Sequence, residues 1–538
     1  MVSARPRWQA ALALGALPLA FLALMLVAPL LRLAAEAGVG ASAAMLGAIW
    51  TDDYLRWRVL WSLLQAALTC IAALAFGVPV AWVLARFEFP GRAWVLRLLM
   101  LPFVVPTLVA ALGVLALWGP RGLLGGWLGM DLQDTPWLLL YGNLFFNLCL
   151  VVRAAADALG QVSASRVAAA RTLGATPWRA FWRVEWPAIL PWLASALCLV
   201  FLYCFAGFGL ALILGGQRYS TVEVEIYTLV AHELKLAEAG ALALGMMLLT
   251  GAVALLYALI ERRLATPARA DPIPLRRPAG AGQWCAVGAA LFLLLFFCAA
   301  PLLAILARAL GAGAAAWSAL LDEESLRALW NTTRFTAAAL LLATALGVTH
   351  ALVARRSVWL RASAFLPFVV SPVTVALGLL LLYPLWSATL LLLVSAYALL
   401  AYPFVAKSLG AALDSLPENL LQAARTLGAT PWRAFWRVTL PLVQPALRRG
   451  MAFAAATALG EFAVTLFLSR PEWATLTTLI YQRLGRPGVA NRDGALVLAA
   501  LLMLLALLAF MLIEGRSRRG AGSARQRDEP FLRGVPHA

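Results

Sequence analysis

The sequence predicts an all-α integral membrane protein with twelve transmembrane helices, arranged as two repeated halves of six. The first observation is composition: of 538 residues, 63% are hydrophobic and 13% are charged, and the mean hydropathy is +0.86. These values are far more apolar than those of soluble domains. The second observation is a repeat: AARTLGATPWRAFWRV runs from Ala169 to Val184 and recurs unchanged from Ala423 to Val438. A repeat of this length indicates that one half of the chain is related to the other.

Twelve windows are apolar over about the length that crosses a membrane, which is roughly 20 residues. They are 10–33, 59–84, 97–118, 136–153, 188–214 and 239–260 in the first half, and 284–309, 334–353, 362–382, 385–405, 442–468 and 495–513 in the second. The predicted domains are a first half at 1–263, a linker at 264–283, a second half at 284–514 and a basic tail at 515–538. The linker is rich in proline and arginine, which favour an exposed connection over a buried one.

The distribution of positive charge predicts the orientation. With both termini in the cytoplasm, most of the 43 Lys and Arg residues fall on the cytoplasmic side, as they do in membrane proteins generally. Both copies of the repeated stretch then lie in the cytoplasm. The net charge of +18 is explained by arginines beside anionic lipid, so we expect membrane lipid as a partner and no nucleic acid.

The repeated stretch predicts a short helix, a tight turn and a second helix. Gly174 stands where the left-handed end of a helix favours glycine. Thr176 can cap the second helix with its side-chain oxygen, and Pro177 suits the first helical position, where a missing N–H has no consequence. Aromatic side chains share one face of the second helix, as in helices that lie in a membrane interface: Trp178, Phe181 and Trp182. The first helix is left free to dock against another protein.

This stretch resembles the cytoplasmic loop of binding-protein-dependent ABC importer permeases. The family pattern is Glu-Ala-Ala, three residues, Gly, nine residues, Ile, one residue and Leu-Pro. The matching positions are Ala168, Ala169, Ala170, Gly174 and Pro187 in the first copy, and Gln422, Ala423, Ala424, Gly428 and Pro441 in the second. The leading acid of the pattern is replaced in both copies, so a salt bridge from that position to a partner is not expected.

The resemblance implies the type I ABC importer permease fold, with coupling loops at about 157–187 and 407–441 that contact an ATPase. It further implies two copies of an ABC ATPase subunit, a periplasmic solute-binding protein, and a location in the bacterial inner (cytoplasmic) membrane. The chain's lysines, Lys235 and Lys407, do not follow a glycine as a phosphate-binding loop requires. We therefore expect ATP and magnesium on the partner subunit, and neither catalytic activity, a cofactor nor a metal site in this chain.

Glu461 lies in the otherwise apolar stretch ALGEFAVTLFL, where the first half has Gly207. An ionisable residue within a span is a candidate functional residue. One interpretation is a negative lining of a pathway for a cationic solute, to which Tyr203, Phe208 and Phe462 would present ring faces.

The alternative interpretation of Glu461 is structural: its carboxylate is paired with Arg448 or Arg449, or is neutral. Two other acids, Glu223 and Glu225, follow a stretch of turn-forming residues and are expected at the outer surface.

Further stretches are similar to the thiamine branch of the permease family: FPGRAWVLRL, ALGVLALWGPRG, FFNLCLVVR, LGG…STVEVEIY and GEF…IYQRL…RDGA. They imply thiamine or its phosphate esters as the solute. The ferric-iron branch shares LGG…IY and is the alternative substrate class. A secondary transporter with twelve spans is a third possibility, since such proteins also contain repeats. In that class, however, we expect the strongest repeat identity near the membrane midplane and not in a cytoplasmic loop.

Overall fold

The structure, a computed structural model, describes residues 15–38, 51–264, 273–355, 357–387, 389–468 and 470–515, together with Gly47. In these ranges the regular structure is helical, and Phe87 and Arg276 form an isolated parallel bridge. Six helices of the first half are α1 (Gly15–Glu36), α2 (Asp53–Arg86), α3 (Thr107–Trp118), α4 (Pro136–Leu159), α5 (Pro177–Phe205) and α6 (Leu236–Leu264). Those of the second half are α7 (Ala281–Gly311), α8 (Glu323–Ala354), α9 (Pro372–Leu382), α10 (Leu390–Asp414), α11 (Leu440–Leu459) and α12 (Val489–Gly515).

Each of the twelve predicted windows overlaps one of these helices, and the predicted all-α fold in two six-helix halves is confirmed. Ten helices in the described ranges are long and apolar enough to cross a membrane; in this count α3 is extended to Leu128 by the short helix that follows it, Leu123–Leu128. The other two predicted spans correspond to α9, which has 11 residues, and α11, which contains Arg448 and Arg449. Residues 265–272 of the predicted linker and 516–538 of the predicted tail lie outside the described residues.

Four windows predicted as continuous spans are interrupted, at matched places in the two halves. The chain breaks before α3 and α9, and again after α5 and α11, where it resumes as short helices at Gly209–Leu214 and Ala463–Leu468. The breaks contain glycine or adjoin proline, which weaken or end a helix. The prediction of continuous spans was wrong there because hydropathy averages over single residues of this kind.

A π-turn precedes a proline four times in the described helices. The π-turns end two residues before that proline: Ala23–Val27 before Pro29, Phe181–Glu185 before Pro187, Leu295–Ala299 before Pro301, and Phe435–Thr439 before Pro441. Proline has no N–H to donate to the carbonyl group four residues earlier, so the hydrogen-bond ladder shifts by one residue. The proline at the end of each repeated stretch therefore bends a continuing helix and does not terminate it.

The two halves exchange their first helices. α1 packs on α9 of the second half, and α7 packs on α3 of the first half. Each contact uses a glycine: a Cβ atom on Gly378 would lie 3.0 Å from the carbonyl oxygen of Pro29, and one on Gly113 would lie 2.8 Å from that of Pro301. Small residues allow helix backbones to approach closely in a membrane. The halves consequently interlock, although each is continuous in sequence.

Candidate functional site

The predicted helix and turn of the repeated stretch are present in both copies. The first helices are Ala164–Thr172 and Glu418–Thr426. Gly174 and Gly428 follow them with φ of 82° and 78°, the left-handed conformation that favours glycine. The Thr176 Oγ1 atom then accepts a hydrogen bond from the backbone N–H of Arg179, at 3.3 Å. The predicted second helix differs from the expectation in one respect: in the first copy it continues through the π-turn into α5 and is not a separate element.

Both copies present apolar side chains to the exterior. We call residues 164–182 and 418–436 the repeat surfaces. Leu173 and Leu427, beside the two glycines, are 89% and 87% exposed, and Trp178 and Trp432 are each 69% exposed. Of the matched family positions, most are exposed, whereas Ala424 is buried. Exposed apolar patches of this kind are typical of surfaces that another protein or the membrane covers.

The four predicted pathway residues line one cavity between the two halves. Tyr203 and Phe208 come from the end of α5 and the break after it, and Glu461 and Phe462 come from the matching break after α11. The cavity has a volume of about 220 Å³ and is mostly apolar. Phe205, which also precedes the break, is fully buried, and its ring stacks on that of Phe201.

Glu461 caps a short helix. Its Oε1 atom accepts a hydrogen bond from the backbone N–H of Val464 at 2.9 Å, at the start of Ala463–Leu468, and the residue is 8% exposed. Among the described residues no arginine pairs with this carboxylate, so the alternative of an ion pair is not supported. The matching position in the first half has no room for a side chain, because a Cβ atom on Gly207 would lie 2.8 Å from the carbonyl oxygen of Tyr203.

Two matched phenylalanines meet at the boundary between the halves. The rings of Phe208 and Phe462 stack with centroids 5.8 Å apart and an interplanar angle of 21°. Each also contacts a matched tyrosine: Phe208 lies 5.5 Å from Tyr227, and Phe462 lies 5.3 Å from Tyr481. Each phenyl ring covers one face of the other, so a solute can contact these two faces only if the rings separate.

Comparison with known proteins identifies the family. The family model described as "binding-protein-dependent transport system inner membrane component" matches residues 77–266 and 339–519, one match in each half. The chain belongs to this family. It is therefore an ABC importer permease in which two permease halves are fused, and the family match favours this class over a secondary transporter.

Curated relatives resemble the permease over most of its length. It is 30% identical to the thiamine transport system permease protein ThiP of Brucella abortus, over 96% of each chain. It is 28% identical to the protein of the same name from Haemophilus influenzae, over 85% of this chain and 88% of the relative. A solved structure of a bacterial ABC transporter that imports alginate matches 46% of this chain and 93% of its own, with 16% identity and a TM-score of 0.40.

Buried amide side chains form a hydrogen-bonded series beside the break after α5. The sequence did not lead us to predict it. The Asn143 Nδ2 atom donates to Gln65 Oε1 at 2.6 Å, and Gln65 Nε2 donates to the carbonyl oxygen of Cys204 at 2.8 Å. Asn147 lines the cavity, and its Oδ1 atom is buried without a hydrogen-bond partner among the described residues. The sequence feature that could have identified these residues is the presence of polar amides within apolar spans.

The expected surface position of Glu223 and Glu225 was wrong. Glu223 is 1% exposed and accepts a hydrogen bond from Ser371 Oγ of the second half at 2.7 Å. Glu225 is 6% exposed and accepts one from the Tyr54 hydroxyl at 2.7 Å. The helix that carries both acids, Val222–Ala231, packs inside the permease because the preceding loop folds back onto α2. For the described residues, no group of three or more His, Cys, Asp or Glu side chains is placed to hold a metal ion.

Proposed function

We propose that this permease imports thiamine or its phosphate esters, as the membrane subunit of an ATP-driven importer. A periplasmic binding protein delivers the solute, and two copies of a separate ATPase subunit bind and hydrolyse ATP with magnesium. The observation that carries the substrate proposal is similarity to thiamine permeases over 85% and 96% of the chain. The acidic residue at the cavity between the halves is consistent with a cationic vitamin.

The repeat surfaces are the proposed contacts with the ATPase subunits. Fourteen residues of each surface, 169–182 and 423–436, are identical, which suits two copies of one partner, because identical surfaces bind identical subunits. Each surface is joined to a membrane helix without a flexible loop: the second part of the first surface is the start of α5, and the second surface continues into α11 through the π-turn Phe435–Thr439. Movement of an ATPase subunit would thus be transmitted to the helix that ends at the cavity. The proposal includes a location in the inner membrane with both termini of the chain in the cytoplasm.

The cavity between the halves is the proposed solute pathway. Glu461 supplies a negative charge, and the Asn147 Oδ1 atom supplies a second acceptor for a hydrogen bond. The stacked Phe208 and Phe462 rings come from opposite halves, so a rigid-body rotation of one half against the other separates them. In this scheme the stacked pair is closed when no solute passes, and its opening exposes ring faces to a cation.

The test is the ATPase activity of the permease co-purified with its ATPase subunit in lipid. Binding protein loaded with thiamine, with ferric iron or with no solute is added in parallel. The proposal expects stimulation by the thiamine-loaded protein alone. Stimulation by the iron-loaded protein alone would retain the importer mechanism and overturn the substrate. A permease that takes up thiamine without any ATPase subunit would overturn the mechanism.

A further inference from the structure

A second cavity of about 1000 Å³ runs along α2 beside the first repeat surface. Its apolar wall consists of one side of α2 and three tryptophans at the start of α5: Trp178, Trp182 and Trp186. The described part of the linker closes one side with Ile273 and Pro274. Two backbone hydrogen bonds hold the linker there. The N–H of Arg276 donates to the carbonyl oxygen of Arg86 at 3.1 Å, and the N–H of Glu88 donates to the carbonyl oxygen of Arg276 at 2.9 Å. We call this cavity the α2 groove.

The α2 groove carries an excess of positive charge. Three arginines line it, Arg86, Arg171 and Arg276, against one carboxylate, Glu185. Arg86 Nη2 donates to Glu185 Oε2 at 2.8 Å, but its Nη1 atom is buried and has no hydrogen-bond partner among the described residues. Within the part of the chain that the structure describes, neither Arg171 nor Arg276 forms an ion pair. A buried guanidinium group with an unsatisfied N–H is costly unless a ligand or water completes its hydrogen bonds.

The length and polarity of the α2 groove match half of a bilayer. Its lining residues on α2 extend from Ile71 to Arg86, which is about 22 Å of helix at 1.5 Å per residue. Half of a bilayer, with its polar headgroup region, is about 20–22 Å thick. The end near Ile71 is apolar and open to the exterior, since Ile71 is 63% exposed. The three arginines and the tryptophans lie toward the other end, as headgroup-binding and interfacial residues do.

We propose that the α2 groove is a binding site for one anionic phospholipid. The phosphate group contacts Arg171 and Arg276, beside the positive charge of Arg86, and an acyl chain lies along α2 toward Ile71. The orientation proposed above places the arginines at the cytoplasmic face, where anionic headgroups attract basic residues. The lipid would lie against the π-turn near the start of α5, where the first repeat surface ends.

The second half differs from the first at two parts of this site. Its counterpart of Glu185 is Thr439, and the backbone hydrogen bonds that hold Arg276 join it to Arg86 and Glu88 of the first half. Trp182 has an identical counterpart in Trp436, which does not line the groove. The chain therefore supplies its own control for each part of the proposal.

The experiment is lipid binding by the purified, delipidated full chain, measured by native mass spectrometry. Phosphatidylglycerol and phosphatidylcholine with the same acyl chains are titrated separately. We expect one tightly bound phosphatidylglycerol and markedly weaker binding of phosphatidylcholine. Arg276→Ala should weaken phosphatidylglycerol binding about fivefold, which is the effect of one arginine at an anionic surface. Arg277→Ala, at the neighbouring position outside the groove, should change it less than twofold.

The tryptophan pair tests the apolar wall in the same assay. Trp182→Ala should weaken binding of phosphatidylglycerol, and Trp436→Ala should not. Equal binding of the two lipids, or equal effects of the Arg276 and Arg277 variants, would overturn the proposal. Displacement of the bound lipid when the ATPase subunit assembles would also overturn it, because the groove would then belong to a protein partner. The readout does not require transport, so it is independent of which solute the permease carries.

Discussion

Replacing Glu461 with glutamine separates the charge of this residue from its role as a helix cap. The amide oxygen of glutamine can still accept the hydrogen bond from the Val464 N–H, which is 2.9 Å long. We therefore expect Glu461→Gln to melt at the wild-type temperature. If the carboxylate contacts a cationic solute, its loss removes a charge-assisted hydrogen bond of about 1.5–3 kcal/mol. Uptake of thiamine into proteoliposomes, with the ATPase subunit and binding protein present, should then fall roughly ten- to hundredfold.

The control is Glu461→Ala, which removes both the charge and the cap. Loss of a helix N-cap costs about 1 kcal/mol, so this variant should melt at a lower temperature than Glu461→Gln. Uptake of thiamine by Glu461→Ala should fall at least as far as uptake by Glu461→Gln. Wild-type uptake by the glutamine variant, together with a lower melting temperature of the alanine variant, would contradict a role of the Glu461 charge in solute binding. Glu461 would then be a cap and nothing more.

Three further predictions concern the repeat surfaces and the contacts between the halves. Gly174→Val and Gly428→Val should reduce uptake per ATP hydrolysed, because a residue with a side chain costs about 1–2 kcal/mol in the left-handed conformation. Asparagine tolerates that conformation, so equal losses in the asparagine and valine variants would contradict this explanation. Gly113→Val should lower the melting temperature, because its Cβ atom would lie 2.8 Å from the carbonyl oxygen of Pro301 in α7. The control is Gly288→Val: a Cβ atom there meets nothing within 4 Å, so the melting temperature should not change. Ser371→Ala should destabilise the permease by about 1–3 kcal/mol, because a buried carboxylate of the other half loses its donor; an unchanged melting temperature would argue against that role.

The local structure of the repeat surfaces was predictable because it depends on neighbouring residues. A glycine after a helix, a threonine cap and a proline at the next position determine the turn around Gly174 without help from distant contacts. The fusion of the second helix with α5 was not predicted. It depends on how the hydrogen-bond ladder accommodates Pro187, and a proline is compatible with either an end or a bend of a helix.

The position of Glu223 illustrates the opposite case. The residues before it, LGGQRYST, are typical of a surface loop, so an exposed acid was the natural expectation. In the fold, the Nη2 atom of Arg58 donates to the backbone carbonyl of Gln217 at 2.8 Å, and the Trp61 ring N–H donates to that of Tyr219 at 2.6 Å. These bonds hold the loop against α2 and place Glu223 inside. Such contacts join residues about 160 positions apart, so no local pattern reveals them.

The membrane class, the two repeated halves and the two exposed turns were predictable from the amino-acid sequence. Those features follow from average hydropathy, from identity between two stretches and from the preferences of adjacent residues. Three features became visible in the folded chain: the exchange of α1 and α7, the stacking of Phe208 on Phe462 and the cavity beside Glu461. Each of these depends on contacts between the two halves of the chain. Because an apolar helix can pack equally well against many apolar neighbours, composition does not select the partner; the close fit of particular glycines, prolines and rings does.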